Sequence, residues 1–304
     1  MLRIASESDA IQQASGFRPT AAGTVRDLRE RTDLARAIAF FGSREEARAF
    51  AGICLSRTLP LLPGKVRYVD YGGGQGVVAS AMQDALRAAG RATDVTVVDA
   101  NPRYLADAAA LGLNVHLANI EDCALGDVDL ATMRLVNHYC SRPQQAAILR
   151  AIHDALRPGG VFVSQIETGR DAICRLQTRI SNALSEEGGA GYHWPTLEEY
   201  FAMAKEAGFV DAVVIGESAA VESTINEGLA AAWRRFHGSK LEALAADGRM
   251  EETDRLLAQR AEFFRTCHRM VAEALDISAG DASSHPALAK FELRYPIVCC
   301  RRSG

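Results

Sequence analysis

An acid and three glycines at alternate positions raise the first chemical question. In VRYVDYGGGQGVVASAMQDAL, starting at Val66, they fall as Asp70-x-Gly72-x-Gly74-x-Gly76, and a helical pattern follows. A glycine-rich turn between a strand and a helix lets backbone come close to a ligand, and the helix start offers unpaired N–H groups. The ligand could be a dinucleotide, a nucleotide phosphate or a molecule without phosphate. GQGVVA, from Gly74 to Ala79, satisfies the G-x-G-x-x-A spelling of a dinucleotide site. Asp99 follows about 20 residues later, where an NAD site keeps its ribose-binding acid. The glycines could equally serve only a tight turn.

Two carboxylates shift the balance. Asp70 stands at the strand end, where a pyrophosphate site has an apolar residue or a glycine; a carboxylate there repels phosphate and attracts ammonium. Asp99 closes VTVVD and is placed to accept both hydroxyls of a ribose. Together they select a cationic nucleoside without phosphate, a description that S-adenosylmethionine meets.

A second set of residues lies where an acceptor would sit, above the carboxyl ends of later strands. Methyl transfer from a sulfonium needs the nucleophile held in line with the leaving sulfur, and a base if the acceptor carries a proton. ATMRLVNHYC brings Arg134, His138 and Tyr139 to the end of the fourth strand, and His is the side chain best suited to take a proton near neutral pH. His138 is a base or a packing residue, and Tyr139 is a candidate acceptor contact. Arg134 binds the methionine carboxylate of the cofactor or pairs with a surface acid. Glu167, in SQIETG, binds an acceptor amine or is a solvated strand-end acid, and His193 and Trp194, in GYHWPT, wall the acceptor pocket or pack a turn. No H-E-x-x-H or other metal spacing is present, so no metal is expected.

The elements that must hold these residues are legible as pattern. Short β-rich runs occur at VRYVD, VTVVDA, NVHLA, VDLATMRL, GVFVSQIE and DAVVIGE, with helical stretches such as VASAMQDALRAAG, PQQAAILRAIHDALR and TLEEYFAMAKEAG between most of them. Strands separated by helices of this length predict a doubly wound, mostly parallel α/β sheet covered on both faces. Before it, Leu34, Ile38, Ala39, Ala47, Phe50, Ile53 and Cys54 keep helical spacing, ended by LPLLPGK. After DAVVIGE, Ile225, Leu229, Trp233, Phe236, Leu256, Phe263, Phe264, Cys267, Met270 and Val271 do the same before a last strand, KFELRYPIVCCRR. The expected division is an N-terminal helical segment at 1–60, a cofactor-binding core at 61–221, a helical insert at 222–290 acting as lid or dimer contact, and the final core strand at 291–304.

The order of these motifs resembles the class I S-adenosylmethionine-dependent methyltransferases over roughly residues 60 to 218 and the last strand. VDYGGGQG is similar to the family's first motif, VVDAN to its second and HLANIED to its third. The resemblance implies a Rossmann-like fold, S-adenosylmethionine as cofactor with S-adenosylhomocysteine as product, and an adenine contact at Asn119 and Ile120. The family commonly has an acid where this chain has Asn119; an Asn carbonyl can still accept from the adenine amine, or Glu121 or Asp122 can substitute. LRPGGVFVSQIE and GYHWPTLEEYFAMAKEAGF resemble the approaches to strands five and six. ATMRLVNHYC is similar to the segment of small-molecule O-methyltransferases that places a basic residue, here Arg134, four positions before a catalytic His, here His138. Tyr139 and Cys140 depart from the residues usual there. The absence of a D-P-P-Y or N-P-P-Y run argues against a methyltransferase of nucleic-acid bases.

Composition narrows the partners. The chain has 304 residues, 48% hydrophobic and 24% charged, enough to bury a sizeable core, and its formal charge of −4 gives no footprint for nucleic acid or an anionic membrane. Seven scattered cysteines without a C-x-x-C pair suit a reducing cytoplasm. MLRIASESDAIQQ lacks a targeting pattern, and no window approaches a membrane span. The expectation is a cytoplasmic methyltransferase, a possible homodimer, acting on oxygen, nitrogen or sulfur of a small molecule. An NAD-dependent oxidoreductase and a non-catalytic methyltransferase-like subunit are the alternatives.

Overall fold

The computed structural model describes residues 43–184, 191–223, 225–275 and 291–304. Seven strands, β1 (Lys65–Tyr71), β2 (Ala92–Asp99), β3 (Asn114–Leu117), β4 (Val128–Arg134), β5 (Leu156–Gln165), β6 (Phe209–Ser223) and β7 (Phe291–Arg302), form one sheet. Their order is β3-β2-β1-β4-β5-β7-β6. β1 to β5 pair in parallel, and β7 runs antiparallel between β5 and β6. This is the mostly parallel, doubly wound sheet the patterning predicts. Strand order reverses direction between β1 and β4, so a crevice opens there at the carboxyl ends, where open α/β sheets bind ligands.

Helices α1 (Arg44–Thr58), α2 (Val77–Ala88) and α3 (Pro102–Ala110) cover one face; α4 (Arg142–Ala155) and α6 (Leu197–Glu206) cover the other. All but α2, which follows Gly76, start where a side chain can satisfy the orphan amides of a first turn. Ser43 caps α1, Asn101 caps α3, Thr196 caps α6, and Ser141 forms a capping box with Gln144 at α4. Ile148, Leu149 and Ile152 of α4 pack with Tyr200 and Met203 of α6 and Phe162 of β5. Opposite, Phe50 and Cys54 of α1 meet Met82 and Leu86 of α2 and Leu105 of α3.

Three helices make a separate core. α5 (Asp171–Leu184), α7 (Ile225–Ala246) and α8 (Met250–Leu275) bring Leu176, Ile180, Leu229, Trp233, Leu256, Cys267, Met270 and Val271 into one apolar cluster. The aromatic stripe of the insert is thus a buried face, with Phe263 and Phe264 packed partly buried against it. The expected start at 222 falls inside β6, which outruns DAVVIGE because its last residues pair with β7 in a two-stranded ribbon, Val221 opposite Leu293 through Ser223 opposite Phe291. α5 was not distinguished in the patterning, although Ile173, Leu176 and Ile180 carry helical spacing. Its apolar face turns to the insert, not the sheet. Leu34, Ile38 and Ala39 and the side chains of Ile225 and Phe236 lie outside the described residues.

All seven cysteines are free, and Cys299 and Cys300 are buried members of β7. Among the described residues no helix is long and apolar enough to cross a membrane, and no group of three His, Cys, Asp or Glu could hold a metal ion.

Candidate active site

The turn after β1 is shaped by close packing on one side and openness on the other. Gly76 has φ +77°, and a Cβ there would stand 2.7 Å from Leu113 Cδ1 and 3.0 Å from Ala108 Cβ. Gly74, at φ +54°, has only Tyr104 Cδ2 near its Cβ position, at 3.8 Å. Only glycine adopts such φ values without strain. Gly76 is therefore required by helix packing, whereas Gly74 keeps open the space a ligand would use. A Cβ on Gly72 would meet Val136 Cγ2 at 2.5 Å, so the segment after β4 lies directly against the turn.

Asp99 is locked to this turn. Its Oδ2 accepts from the Gly74 N–H at 2.9 Å and its Oδ1 from the Asn101 N–H at 2.8 Å. Burial raises its pKa to about 6, against the lowering effect of the Asn101, Gly74 and Ala100 amides. Each oxygen retains a second lone pair, enough for two ribose hydroxyls. Asn101 accepts from the amides of Arg103 and Tyr104, so the start of α3 is registered to the same carboxylate, and Gln75 Nε2 donates to Asp107 at 2.8 Å beside it.

Asp70 is placed differently from the expectation of an acid presented to the ligand. It is 1% exposed. Its Oδ1 accepts from the Thr132 hydroxyl at 2.6 Å, and Thr132 Oγ1 lies 2.7 Å from the Tyr68 hydroxyl. Thr132 has one proton and gives it to the carboxylate, so Tyr68 is the donor in the second bond. Oδ2 has no hydrogen-bond partner and would be 2.6 Å from a Cβ on Gly73. Burial pushes the Asp70 pKa up to about 7, opposed by Thr132, Arg134 and the Ala79 amide and reinforced by Asp99. The carboxylate acts from beneath the turn, through its field.

Arg134 ends β4 with its Nε donating to Gln165 Oε1 at 2.7 Å and its guanidinium carbon 5.6 Å above the Phe50 ring. Burial lowers its pKa, while Glu46 and Asp70 oppose that. Its neighbours are thus a buried amide and an aromatic ring, with the charges of Glu46 and Asp70 acting on it. Asn119 precedes the short turn Ile120–Asp122, with its Nδ2 donating to Asp122 at 3.0 Å. The Ile120 side chain packs into the core with Tyr71, Ala118 and Cys123, which leaves any ligand contact to its backbone.

At the neighbouring strand ends, His138, Glu167 and Trp194 converge, 2%, 8% and 2% exposed. His138 Nε2 is 3.7 Å from Glu167 Oε2, and Trp194 Nε1 donates to Glu167 Oε1 at 3.2 Å. The imidazole stacks on the Trp194 ring at 5.2 Å between centroids and sits 4.1 Å from that of Tyr139. Gln145 fastens the two segments together, its Nε2 donating to the carbonyls of Asn137, Cys140 and His193 at 2.9, 3.1 and 2.7 Å. Glu167 is therefore no solvated strand-end acid. His193 Nε2 lies 3.0 Å from Glu199 Oε2. Tyr139 is exposed beside His138.

Thr132, Gln145 and Gln165 were missed in the sequence because nothing local marks them. Thr132 becomes visible only through register, directly opposite Asp70. The cofactor, in contrast, fits an observation of this site: an open Gly74, a carboxylate anchored at the second strand end, and an orphan acid oxygen beneath the turn.

A family model described as a methyltransferase domain matches residues 27–212, more than half of the chain. No curated protein matches. Among solved structures, YcgJ from Bacillus subtilis is similar at 14% identity and TM-score 0.57, over 84% of this chain and 99% of that one. A candidate methyltransferase of Bacillus halodurans matches at 15% identity and TM-score 0.51, over 82% and 100%. A candidate sarcosine dimethylglycine methyltransferase from Galdieria sulphuraria matches at 13% and 0.50, over 99% and 98%. At these identities the structural likeness establishes the fold. The family match sets aside the dinucleotide reading: the chain belongs to the methyltransferase-domain family, as a class I enzyme that uses S-adenosylmethionine.

Proposed function

We propose that the enzyme methylates a protic oxygen or nitrogen of a small molecule, with His138 as the base that removes the acceptor's proton. S-adenosylmethionine supplies, when bound, a methyl group already activated by positively charged sulfur. Asp99 accepts the ribose hydroxyls, Arg134 holds the methionine carboxylate, and Asp70 favours the cofactor's positive charge from beneath the turn. The observation that carries the acceptor reading is the buried cluster of His138, Glu167 and Trp194, two residues beyond the Val136 side chain that abuts Gly72. Glu167, 3.7 Å from Nε2, stabilises the imidazolium that forms when His138 takes the proton. Trp194 and Tyr139 supply flat apolar surface to the acceptor.

The rest of the reading follows from composition and packing. The acidic balance supports a small-molecule acceptor over nucleic acid, and seven free cysteines support a cytoplasmic setting. α5 is tied to the acceptor side by Thr178, whose hydroxyl accepts from the Trp194 amide at 2.9 Å. This supports the insert as the element that sets acceptor choice, and a homodimer contact there is compatible with it.

The test is a metabolite screen that reads the gain of one methyl group, run on the wild-type enzyme and His138→Ala. The variant should lose about a hundredfold or more in turnover, the usual contribution of a general base, while S-adenosylhomocysteine affinity stays within about twofold. Unchanged turnover removes His138 from the role.

A further inference from the structure

Arg134 is the terminal residue of β4, and its register partner on β5 is Gln165. Gln165 is 1% exposed, and every hydrogen-bonding edge of its amide that the structure shows in use points to one task. Its Oε1 accepts from Arg134 Nε at 2.7 Å. Its Nε2 donates to Ser218 Oγ at 2.7 Å and to the Tyr295 carbonyl at 3.3 Å. An amide can be fitted either way round, and these three partners settle which: Arg134 only donates and the Tyr295 carbonyl only accepts, so oxygen faces Arg134 and nitrogen faces the ribbon.

This geometry restricts the guanidinium. A planar guanidinium on a flexible stem binds a carboxylate well only when its plane is held, because the paired N–H bonds must both align. Nε anchored on Gln165 and Cζ over the Phe50 ring fix two points of that plane, one from β5 and one from α1. Ser218 and Tyr295 belong to β6 and β7, just where these strands leave the sheet as the ribbon that carries the insert. The amide thus joins the end of the cofactor site to the base of the acceptor-side element.

We infer that Gln165 is a positioning residue for the cofactor's amino-acid end: it sets the plane of Arg134 for a carboxylate and ties that setting to Ser218 and Tyr295 of the ribbon. The inference rests on the reading that Arg134 holds the methionine carboxylate. It assigns Gln165 no contact with substrate or reacting atoms.

Two ligands separate positioning from general damage. S-adenosylhomocysteine carries the amino-acid tail, and 5′-methylthioadenosine lacks it while keeping adenine, ribose and thioether. Calorimetry on the full chain compares wild type with Gln165→Met, which keeps length and removes both hydrogen-bonding edges, and with Ser218→Ala, at a half-buried position that tolerates truncation. Gln165→Met should weaken S-adenosylhomocysteine about tenfold and leave 5′-methylthioadenosine within about twofold. Ser218→Ala should move the same ratio about two- to threefold. Equal losses for both ligands, or no loss, overturn the inference, and Ser218→Ala decides it alone if Gln165→Met does not fold. Arg134→Met provides the separation from the underlying reading. If it shifts the ligand ratio and the other two variants do not, only the role of Gln165 fails. If Arg134→Met leaves the ratio unchanged, the carboxylate reading fails first.

Discussion

The proposed cofactor rim and the proposed acceptor rim of this enzyme lie side by side on the sheet and are built by opposite means. At the cofactor rim, backbone does the shaping. Gly74 and Gly76 hold left-handed conformations, and Asp99 is held by two main-chain amides. At the acceptor rim, side chains from distant segments do it: His138 after β4, Glu167 after β5 and Trp194 before α6 meet in one cluster, fastened by Gln145. A backbone-built site tolerates little change in its own few residues. A side-chain-built site can be re-specified by exchanging what surrounds it.

The sharpest way to break this contrast is at Asp99. Asp99→Ala should weaken S-adenosylhomocysteine about a hundredfold, since hydrogen bonds to a charged acceptor contribute about 1.5–3 kcal/mol each. Titration calorimetry reads it. An effect below about threefold would mean that the ribose is held elsewhere and that the two rims do not differ as described.

A pair of glycine substitutions sharpens the comparison within the cofactor rim. Gly76→Ala forces a Cβ against Ala108 and Leu113 and should cost about 2–4 kcal/mol of stability in denaturant unfolding. Gly74→Ala meets nothing closer than 3.8 Å, so its stability cost is about 1 kcal/mol of backbone strain. Its cofactor affinity should nevertheless fall roughly tenfold, because the new methyl takes ligand space. If the two variants behave alike, the division between packing glycine and ligand glycine is wrong.

The smallest expected effects are in pH, and they run in opposite directions. On the proposed reading Asp99 accepts the ribose hydroxyls as a carboxylate, so cofactor affinity should be level above its pKa of about 6 and decline toward tenfold per unit below it. For the ligand-free protein the sign reverses. Asp70 and Asp99 have pKa values of about 7 and about 6, both above the ordinary 3.8, so the folded state binds protons more tightly than the unfolded chain. The stability they contribute is fully present below about 3.8 and is lost as pH rises through 6 to 7. Thermal unfolding of Asp70→Asn between pH 5 and 7.5 should therefore show a smaller decline with rising pH than wild type. A steeper decline in the variant would place the charge elsewhere.

Much of the cofactor half was legible because its determinants are local. Asp70, the glycines and Asp99 sit at strand ends that alternation marks, and strand alternation with helices is enough to place those ends on one edge of a parallel sheet. Even there the depth of Asp70 was not legible, since it depends on Thr132 arriving opposite it from another strand. The acceptor half was legible as a set of residue types and not as an arrangement. His138 and Trp194 were marked as candidates, Glu167 was as easily a solvated acid, and nothing local signalled the pairing of His193 with Glu199. Their pairing depends on how α6 and the turn before it fold back over β4 and β5.

Residue order and type were sufficient for the alternating core, the turn after β1, the two acids that suit a cationic nucleoside and the interruption before the last strand. These follow from periodicity and from conformations that few residues can adopt. Register and burial settled the rest: the depth of Asp70, the meeting of His138 with Glu167, and the grip of Gln165 on Arg134. Each of those depends on contacts between residues about 30 to 130 apart in the chain, and no local pattern encodes which distant neighbour a side chain will meet.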